Sequence, residues 1–396
     1  MALPDILLKK RQGGLGRQQP TDDGVSALIT TGPAIAGKLD QNRAYELRSL
    51  VAAEALGITA ASVAYAALHY QLSEFYRLSP GAVLLLMVSD AVSLADMADR
   101  TKAYGKKLLQ GANGRVKQIG FYLSPAAGGA TAGFVADVVP AIAKAQALAD
   151  EEFEQHRPIL CLLAGHGLPV DLTTLPDLTT KLAPSVGVVV GTDNLLQPDE
   201  PAIGALLGMV SAVQVHICIG WIEGCQLRGD GSFENAGISN GVANADLLPG
   251  DLAALNDKGY IVVIQHPGAD GFFFADSPTC IGKDSDYCQI ENVRTINKMA
   301  RLVRQALLPQ LKGPLLLQAD GTLQPQVLGE LEEKGANALT VNMGRTNELS
   351  ALEVYIDPAQ VLSSSTGNTP LKVGFSGVPV GVSRAIEATI GLVTKI

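Results

Sequence analysis

The sequence predicts an α/β fold (α+β over the whole chain): a mainly parallel sheet covered by helices, then a second α+β region, with an extended apolar strand at each end. Three observations lead to this prediction. Apolar runs of strand length alternate with helical patterns as far as residue 225. A polar stretch rich in Gly, Asn, Asp and Ser follows at 226–250. Both ends of the chain are apolar. Strands that alternate with helices are typical of a parallel, covered sheet.

The first region supplies the elements of the predicted sheet. Uninterrupted apolar runs are expected for strands that are buried on both faces. The predicted strands are 23–31, 82–88, 116–123, 159–163 and 186–190. The predicted helices are 46–56, 89–109 with Ser89 and Asp90 as its cap, one that ends near Gln155, and one that begins at Ile203.

The second region begins after the polar stretch at 226–250, which we interpret as a surface loop next to a domain boundary. Its predicted helices are 251–256, 291–308 and 324–333, and its predicted strands are 260–265, 338–342, 352–356 and 371–375. We therefore expect an arm at 1–20, an α/β domain at 21–250, an α+β domain at 251–380 and an arm strand at 381–396.

Composition excludes several classes of protein. Of the 396 residues only 17% are charged and 47% are hydrophobic, which argues against a disordered chain. The net charge of −9 argues against a nucleic-acid partner, because phosphate binding requires a basic surface. So little charge on an apolar chain indicates that part of its surface is covered by a partner.

One run of the chain invites a membrane interpretation. Residues 203–222 carry no charge, but Gln214 and His216 lie near their middle, and acidic residues flank them. A buried helix that turns into a strand fits better than a membrane span. The first residues do not have the pattern of a secretory signal. We expect a cytosolic protein with no direct membrane insertion.

The sequence predicts neither a metal nor a cofactor. The five cysteines form no CxxC pair, and the spacing of Cys280 and Cys288 is too wide for a zinc knuckle, so we expect buried free thiols. The glycine-rich loop at 128–133 reads GGxxxG, which differs from the dinucleotide and P-loop fingerprints.

Candidate catalytic residues are few. Asp90 and Asp193 follow predicted strands, where α/β enzymes place their chemistry, but both also suit helix caps or turns. His266 and Asp270 share a glycine-rich loop that is more typical of a turn than of a dyad. We expect no enzyme, and keep an α/β enzyme or ligand-binding protein that uses Asp90 and Asp193 as the alternative.

The two ends of the chain are its most unusual feature, because terminal segments are commonly polar and frayed. An extended terminal segment needs the edge of a sheet to pair with, in the same molecule or in a neighbour, and the pattern favours neither. The residues that would pair in this way are Leu3, Ile6, Leu7 and Leu8 at one end and Ile386, Ala388, Ile390 and Leu392 at the other.

A basic stripe follows the predicted helix at 291–308. Arg294, Lys298, Arg301 and Arg304 recur at helical spacing on an otherwise acidic chain. Such a stripe is either a solvated face or a docking surface for an acidic partner.

Several segments of the second region resemble contractile tail sheath proteins, a family found in phages, R-type pyocins and phage-like contractile injection systems. The resemblance rests on the strand and glycine loop at 259–271, on the segment 287–294 that opens a helix, and on the helix end at 306–309. The ending at 378–392 and the opening at 3–17 with 23–25 are also similar to that family.

The resemblance implies a structural subunit that polymerises as helical stacks of hexameric rings around an inner tube and contracts to drive that tube through a target envelope. The α/β domain would face outward and the α+β domain inward, with the arms adding strands to neighbouring subunits. Implied partners are other copies of the chain, the inner tail tube protein, and baseplate and tail terminator proteins. The particle would assemble in the bacterial cytoplasm as part of a virion tail or an injection particle.

Within this interpretation Arg294, Lys298, Arg301 and Arg304 are expected to face the tube or a neighbouring subunit. No nucleotide is required, because the energy would be stored in the extended lattice. A sheath-like baseplate or terminator component remains a further alternative.

Overall fold

The structure, a computed structural model, describes residues 22–124, 133–361 and 371–387. Its strands are β1 (Ser26–Thr31), β2 (Ala44–Leu47), β3 (Leu84–Ser89), β4 (Gln118–Tyr122), β5 (Leu160–Ala164), β6 (Val186–Val189), β7 (Gly191–Asp193), β8 (Ala236–Ile238), β9 (Tyr260–Ile261), β10 (Val263–Ile264), β11 (Phe273–Phe274), β12 (Leu349–Tyr355) and β13 (Gly374–Pro379). Its α-helices are α1 (Leu50–Ala55), α2 (Ala66–Leu78), α3 (Leu94–Ala98), α4 (Gly105–Ala112), α5 (Phe134–Glu154), α6 (Ile203–Ala212), α7 (Asp251–Asp257), α8 (Ile290–Leu307) and α9 (Pro325–Leu339).

The main sheet has seven strands in the order β2-β3-β1-β4-β5-β6-β9. Every neighbouring pair is parallel except β2 and β3, which are antiparallel. The central strands β1, β3, β4 and β5 are buried along their whole length, which explains their uninterrupted apolar runs. The α/β fold with a mainly parallel sheet is therefore confirmed.

Helices cover both faces of this sheet. On β1 the side chains of Ala27 and Ile29 point into a core formed with α3, α4 and α5. The side chain of Leu28 points to the other face, where α2 and α6 lie. Alternate residues of a strand face opposite sides, so one strand contributes to two cores.

The second region has smaller cores of its own. Met299 of α8, Leu339 of α9 and Leu349 of β12 pack together in one of them. The helix α8 also contributes Ile290 and Val293 to the core beneath the main sheet. One helix thus connects the packing of the two regions.

Several predicted boundaries were wrong. Residues 46 and 47 end the edge strand β2, and the helix begins only at Leu50, capped by Ser49. The predicted helix at 89–109 is two short helices, α3 and α4. Ser89 belongs to β3, while Ser93 caps α3 by accepting a hydrogen bond from the Asp96 amide at 3.1 Å.

Three further predictions need correction. The segment 226–250 is not simply a surface loop, because it contributes β8 and the buried Phe233. Residues 338–342 end α9 and begin a short π-helix (Thr340–Gly344) rather than forming a strand. The chain after α6 continues as turns, not as a strand. The predicted domain division at residue 250 stays a prediction, and β9, the last strand of the main sheet, follows it in the sequence.

Within the described residues, no helix combines the length and the apolarity that crossing a bilayer requires. The run that invited this interpretation is α6 and the turns after it, with Gly204 packed directly on α2.

Replacing Gly204 by alanine tests that contact between α2 and α6. The added Cβ would lie 2.0 Å from the carbonyl oxygen of Gln71, so the two helices would have to separate. Overpacking costs about 1–3 kcal/mol, which exceeds the ~1 kcal/mol that alanine gains over glycine in a helix. We expect Gly204→Ala to lower the melting temperature measured by circular dichroism.

Gly111 of α4 provides the matched control, because no atom lies within 4 Å of its Cβ position. Gly111→Ala should maintain or raise the melting temperature. Equal behaviour of the two variants would contradict the proposed steric cause.

Candidate functional site

A charged and largely buried surface lies along one face of α8. Glu291, Arg294, Lys298 and Arg301 follow one another at intervals of three or four residues, which places them on the same side of the helix. The apolar residues of α8 occupy its other sides and pack into the two cores. The basic stripe seen in the sequence is therefore a polar face that begins with an acid.

Lys298 is the centre of an ion-pair network. Its Nζ atom lies 2.7 Å from Oδ2 of Asp23 and 2.7 Å from Oε2 of Glu348. Arg301 donates from Nη2 to Oδ1 of Asp23 at 2.8 Å. Asp23 lies in a short 3-10 helix (Asp22–Gly24) just before β1, and Glu348 directly precedes β12. The network therefore joins the beginning of the main sheet to the second region through α8.

The pKa values follow from burial and these contacts. Burial raises the pKa of Asp23, but the hydrogen bond and charge of Lys298, with help from Arg301, hold it below its ordinary value. For Glu348 burial outweighs Lys298 and raises the pKa. Burial, reinforced by the charge of Arg301, lowers the pKa of Lys117 to about 8.

Arg294 has a different role in the same face. It is only 4% exposed. Its guanidinium donates to the carbonyl oxygens of Val213 at 3.1 Å and Gln214 at 3.2 Å, where α6 ends. A cation that binds the last carbonyls of a helix satisfies groups that have no partner within that helix. Burial lowers the pKa of Arg294 to about 10.

A second charged cluster, which we call the Arg384 clamp, lies at the first turn of α8. Arg384 donates from Nε to both carboxylate oxygens of Asp276 at 3.1 Å, and from Nη2 to Glu291. The backbone amide of Ser277 binds Asp276 at 2.8 Å, and the Ser277 hydroxyl binds Glu291. The clamp fixes residues 380–384 to the body of the protein.

Residues 380–384 form part of the lining of a groove of about 850 Å³ beside the clamp. Trp221, which is 49% exposed, and Ile222 supply apolar surface there. The other lining residues include His216, Cys218, His266 and Asp276. Sequence reasoning missed this groove, because its lining comes from distant parts of the chain.

The predicted charge set divides between interior and surface. In the described structure Arg294, Lys298 and Arg301 bind groups of the same chain, so they do not form a solvated face. Arg304 is exposed. That this set faces a tube or a neighbouring subunit stays a prediction.

The two aspartates that the sequence suggested at the carboxyl ends of the strands, Asp193 and Asp90, lie in different surroundings. Asp193 is buried and accepts hydrogen bonds from the Tyr70 hydroxyl at 2.8 Å and the Phe233 amide at 2.7 Å, so its oxygens stabilise a turn. Asp90 is exposed on the loop after β3.

Two buried pairs at the same edge were not recognised from the sequence. The Tyr122 hydroxyl donates to Glu200 at 2.7 Å, and burial raises the pKa of Glu200 to about 7. His166 lies 3.3 Å from Asp137, whose carboxylate also accepts hydrogen bonds from the first amides of α3. Each contact joins two different segments of the chain, β4 to the segment before α6 and the segment after β5 to α5.

The remaining candidates have structural surroundings. Asp270 pairs with Arg228 at 2.6 Å, and the His266 ring packs against Phe273, so the two do not form a dyad. All five cysteines are free, and four of them are buried. Among the described residues no cluster of potential metal ligands occurs. Most of the 128–133 loop lies outside the described residues.

The predicted arms are largely outside the described ranges. Leu3, Ile6, Leu7 and Leu8 precede them, and Ala388, Ile390 and Leu392 follow them. Ile386 is described, is 86% exposed, and is not part of a strand. The pairing of these residues with another subunit stays a prediction.

The hairpin sheet of β12 and β13 offers one place for such pairing. The two strands pair with each other in antiparallel register, and within the described ranges neither pairs with a third strand. Their side chains are mostly exposed. An unpaired strand edge presents backbone donors and acceptors to another chain.

Replacing Asp23 by asparagine tests the network around Lys298. A carboxyl group whose pKa is depressed in the folded state stabilises that state above its unfolded value, and the contribution is lost as the pH falls through the folded pKa. We expect Asp23→Asn to lose about 3 kcal/mol of unfolding free energy at neutral pH. Between neutral and acid pH its stability should also fall less steeply than that of the wild type.

Urea titrations at several pH values would measure this difference. Asp22→Asn, at the exposed neighbouring position, is the control and should resemble the wild type. If the unfolding free energy of Asp23→Asn fell toward acid pH as steeply as that of the wild type, the stabilising role of the Asp23 carboxylate would be contradicted.

Comparison with protein families gives two consecutive matches. The model described as DUF2586, N-terminal domain, matches residues 3–278, and the model described as DUF2586, C-terminal domain, matches residues 286–396. No curated protein matches the sequence.

Solved structures with the same fold match almost the whole chain. A chain of the six-fold symmetrised baseplate of the anti-feeding prophage (AFP) has a TM-score of 0.63 at 13% identity, with 99% of both chains covered. A chain of the contracted AFP helical sheath has a TM-score of 0.62 at 13% identity, with the same coverage. The contracted PVC sheath complex, from an extracellular contractile injection system, gives a TM-score of 0.58 at 10% identity, covering 100% of this chain and 98% of that one.

At these identities the likeness concerns the fold, and it confirms at that level the resemblance read from the sequence. The two family models together cover nearly all of the chain. The chain therefore belongs to the DUF2586 family and has the fold of contractile tail sheath proteins.

Proposed function

We propose that this protein is the subunit of a contractile sheath, which polymerises around an inner tube and contracts to drive it forward. The observation that carries the proposal is the likeness to a chain of a contracted helical sheath over 99% of both chains. A match of this extent covers both the main sheet and the second region, not one common domain alone.

The surface of the described chain supports assembly with other copies. The β12–β13 sheet has open edges on both sides within the described ranges. Large apolar side chains are exposed at Trp221, Ile222, Val378 and Ile386. Apolar segments at 3–8 and 388–392 supply chain that can pair with such edges.

The proposed role is structural rather than catalytic. A subunit that moves as a unit during contraction needs a rigid body and extended connections to its neighbours. The cores on both faces of the main sheet and the ion pairs on α8 would make the body of the subunit rigid. The segments before residue 22 and after residue 387 would provide the connections. The inner tube and the baseplate are then the further partners, within a tail or an injection particle.

A baseplate component is the second candidate. It is favoured by the likeness to a chain in the AFP baseplate structure, with a TM-score of 0.63. Such a subunit would form one ring and would not extend into a tube.

Electron microscopy of the purified protein tests these proposals. A sheath subunit should form helical tubes of variable length with a central channel. Single rings of uniform size would favour the baseplate candidate. Compact particles that remain small at high protein concentration would contradict both.

The N-terminal segment should be required for polymerisation but not for folding. Ile6→Asp places a charge in the apolar run at 3–8, where pairing with another subunit would bury it at high cost. We expect the variant to keep the wild-type melting temperature and to lose tube formation in sedimentation assays. Deletion of residues 1–10 should have the same effect.

Gln18→Asp adds the same charge outside the apolar run and serves as the control, which should still polymerise. Normal tubes from Ile6→Asp and from the deletion would show that this segment is not an arm.

A further inference from the structure

Both ends of the described chain are fixed to the same helix. Asp23, the second described residue, binds Lys298 and Arg301 on α8. Arg384, close to the last described residue, binds Glu291 on α8. The segments before residue 22 and after residue 387 therefore begin next to two positions on one helix face.

The charges at the two positions are reversed. At the first position the chain end supplies the acid and α8 supplies the bases. At the second position the chain end supplies the base, and Glu291 of α8 supplies an acid. Glu291 and Arg301 are ten positions apart on α8, a distance of about 15 Å along the axis. If the two chain ends exchanged positions, Asp23 would face Glu291 and Arg384 would face Lys298 and Arg301. This repulsion between like charges gives each end a defined position.

The Arg384 clamp is built to hold one orientation. Nε of Arg384 contacts both oxygens of Asp276 at 3.1 Å while Nη2 binds Glu291, and Glu291 is only 3% exposed. The planar guanidinium group gives such multiple contacts a fixed geometry that a lysine would not reproduce. Residues 381–387 form no strand or helix, so this side chain is the principal polar anchor of that segment.

We propose that the polar face of α8 is the common anchor of the two terminal segments, and that Asp23 and Arg384 are positioning residues that set where each segment leaves the subunit. The inference rests on the proposed function for what those segments then bind. In an assembled sheath, the ion pairs on α8 would then connect the two segments, in addition to the covalent path through β1 and the main sheet.

The single tryptophan of the sequence allows the clamp to be observed in the monomer. Trp221 and residues 380–384 line the same groove. In Arg384→Ala the segment is released from Asp276 and Glu291. A partly exposed ion pair contributes about 1 kcal/mol. Its loss should raise the population of molecules in which residues 380–384 are released roughly fivefold. We expect the emission of Trp221 to shift to longer wavelength and acrylamide quenching to increase.

Two further variants and a change in salt concentration separate the possible causes. Arg384→Lys keeps the charge but loses the planar contacts, and should give an intermediate quenching constant. Arg304→Ala removes an exposed arginine at the other end of α8 and should leave the fluorescence unchanged. High salt should move the wild type toward Arg384→Ala, because it screens the ion pairs. A melting temperature near that of the wild type would show that the body stays folded.

Assembly provides the second readout. If the proposal is correct, Arg384→Ala should open the groove and also reduce the yield of tubes or rings, with partial recovery in Arg384→Lys. Unchanged quenching in Arg384→Ala would overturn the proposal, and so would an opened groove with normal assembly. A wild-type protein that forms neither tubes nor rings would contradict the proposed function, while the fluorescence comparison would still decide whether the clamp holds the segment.

Discussion

The structure depends on the requirement that every charge on the buried face of α8 has a partner. Lys298 is held between Asp23, near the start of the described chain, and Glu348, in the second region. Separation of the two regions would leave buried charges unpaired, which costs far more than the net gain from forming a surface ion pair. The network therefore makes the main sheet and the second region one mechanical unit, although each has its own apolar core.

The parallel sheet could be predicted from the sequence because its central strands are buried on both faces. They therefore appear as uninterrupted apolar runs without helical periodicity. It was less informative for β2, a half-exposed edge strand followed two residues later by a helix. The start of α3 is visible in the sequence, because Ser93 and Asp96 have the spacing of a helix cap. The prediction placed this cap at Ser89 instead.

The polar face of α8 could also be predicted from the sequence, but the partners of its charged side chains could not. Spacing along α8 shows that the cations share one side, but not what they face. The partner of Arg301 lies 278 positions away, so only the fold brings the two together. The same applies to Tyr122 and Glu200, which meet at the edge where related α/β folds bind ligands. In this structure the Tyr122 side chain is buried, and its hydroxyl donates to Glu200.

The position of β9 in the sheet has a consequence for biosynthesis. In the sequence, β7, α6, β8 and α7 all lie between β6 and β9, and β7 and β8 form a separate two-stranded sheet. As the chain leaves the ribosome, one side of β6 stays open until residue 261 has emerged, and nascent copies on one messenger lie close together during that interval. Open strand edges are sites of unwanted pairing. The brevity of β9 and its late arrival make completion of this edge a step at which chaperones would protect the nascent chain.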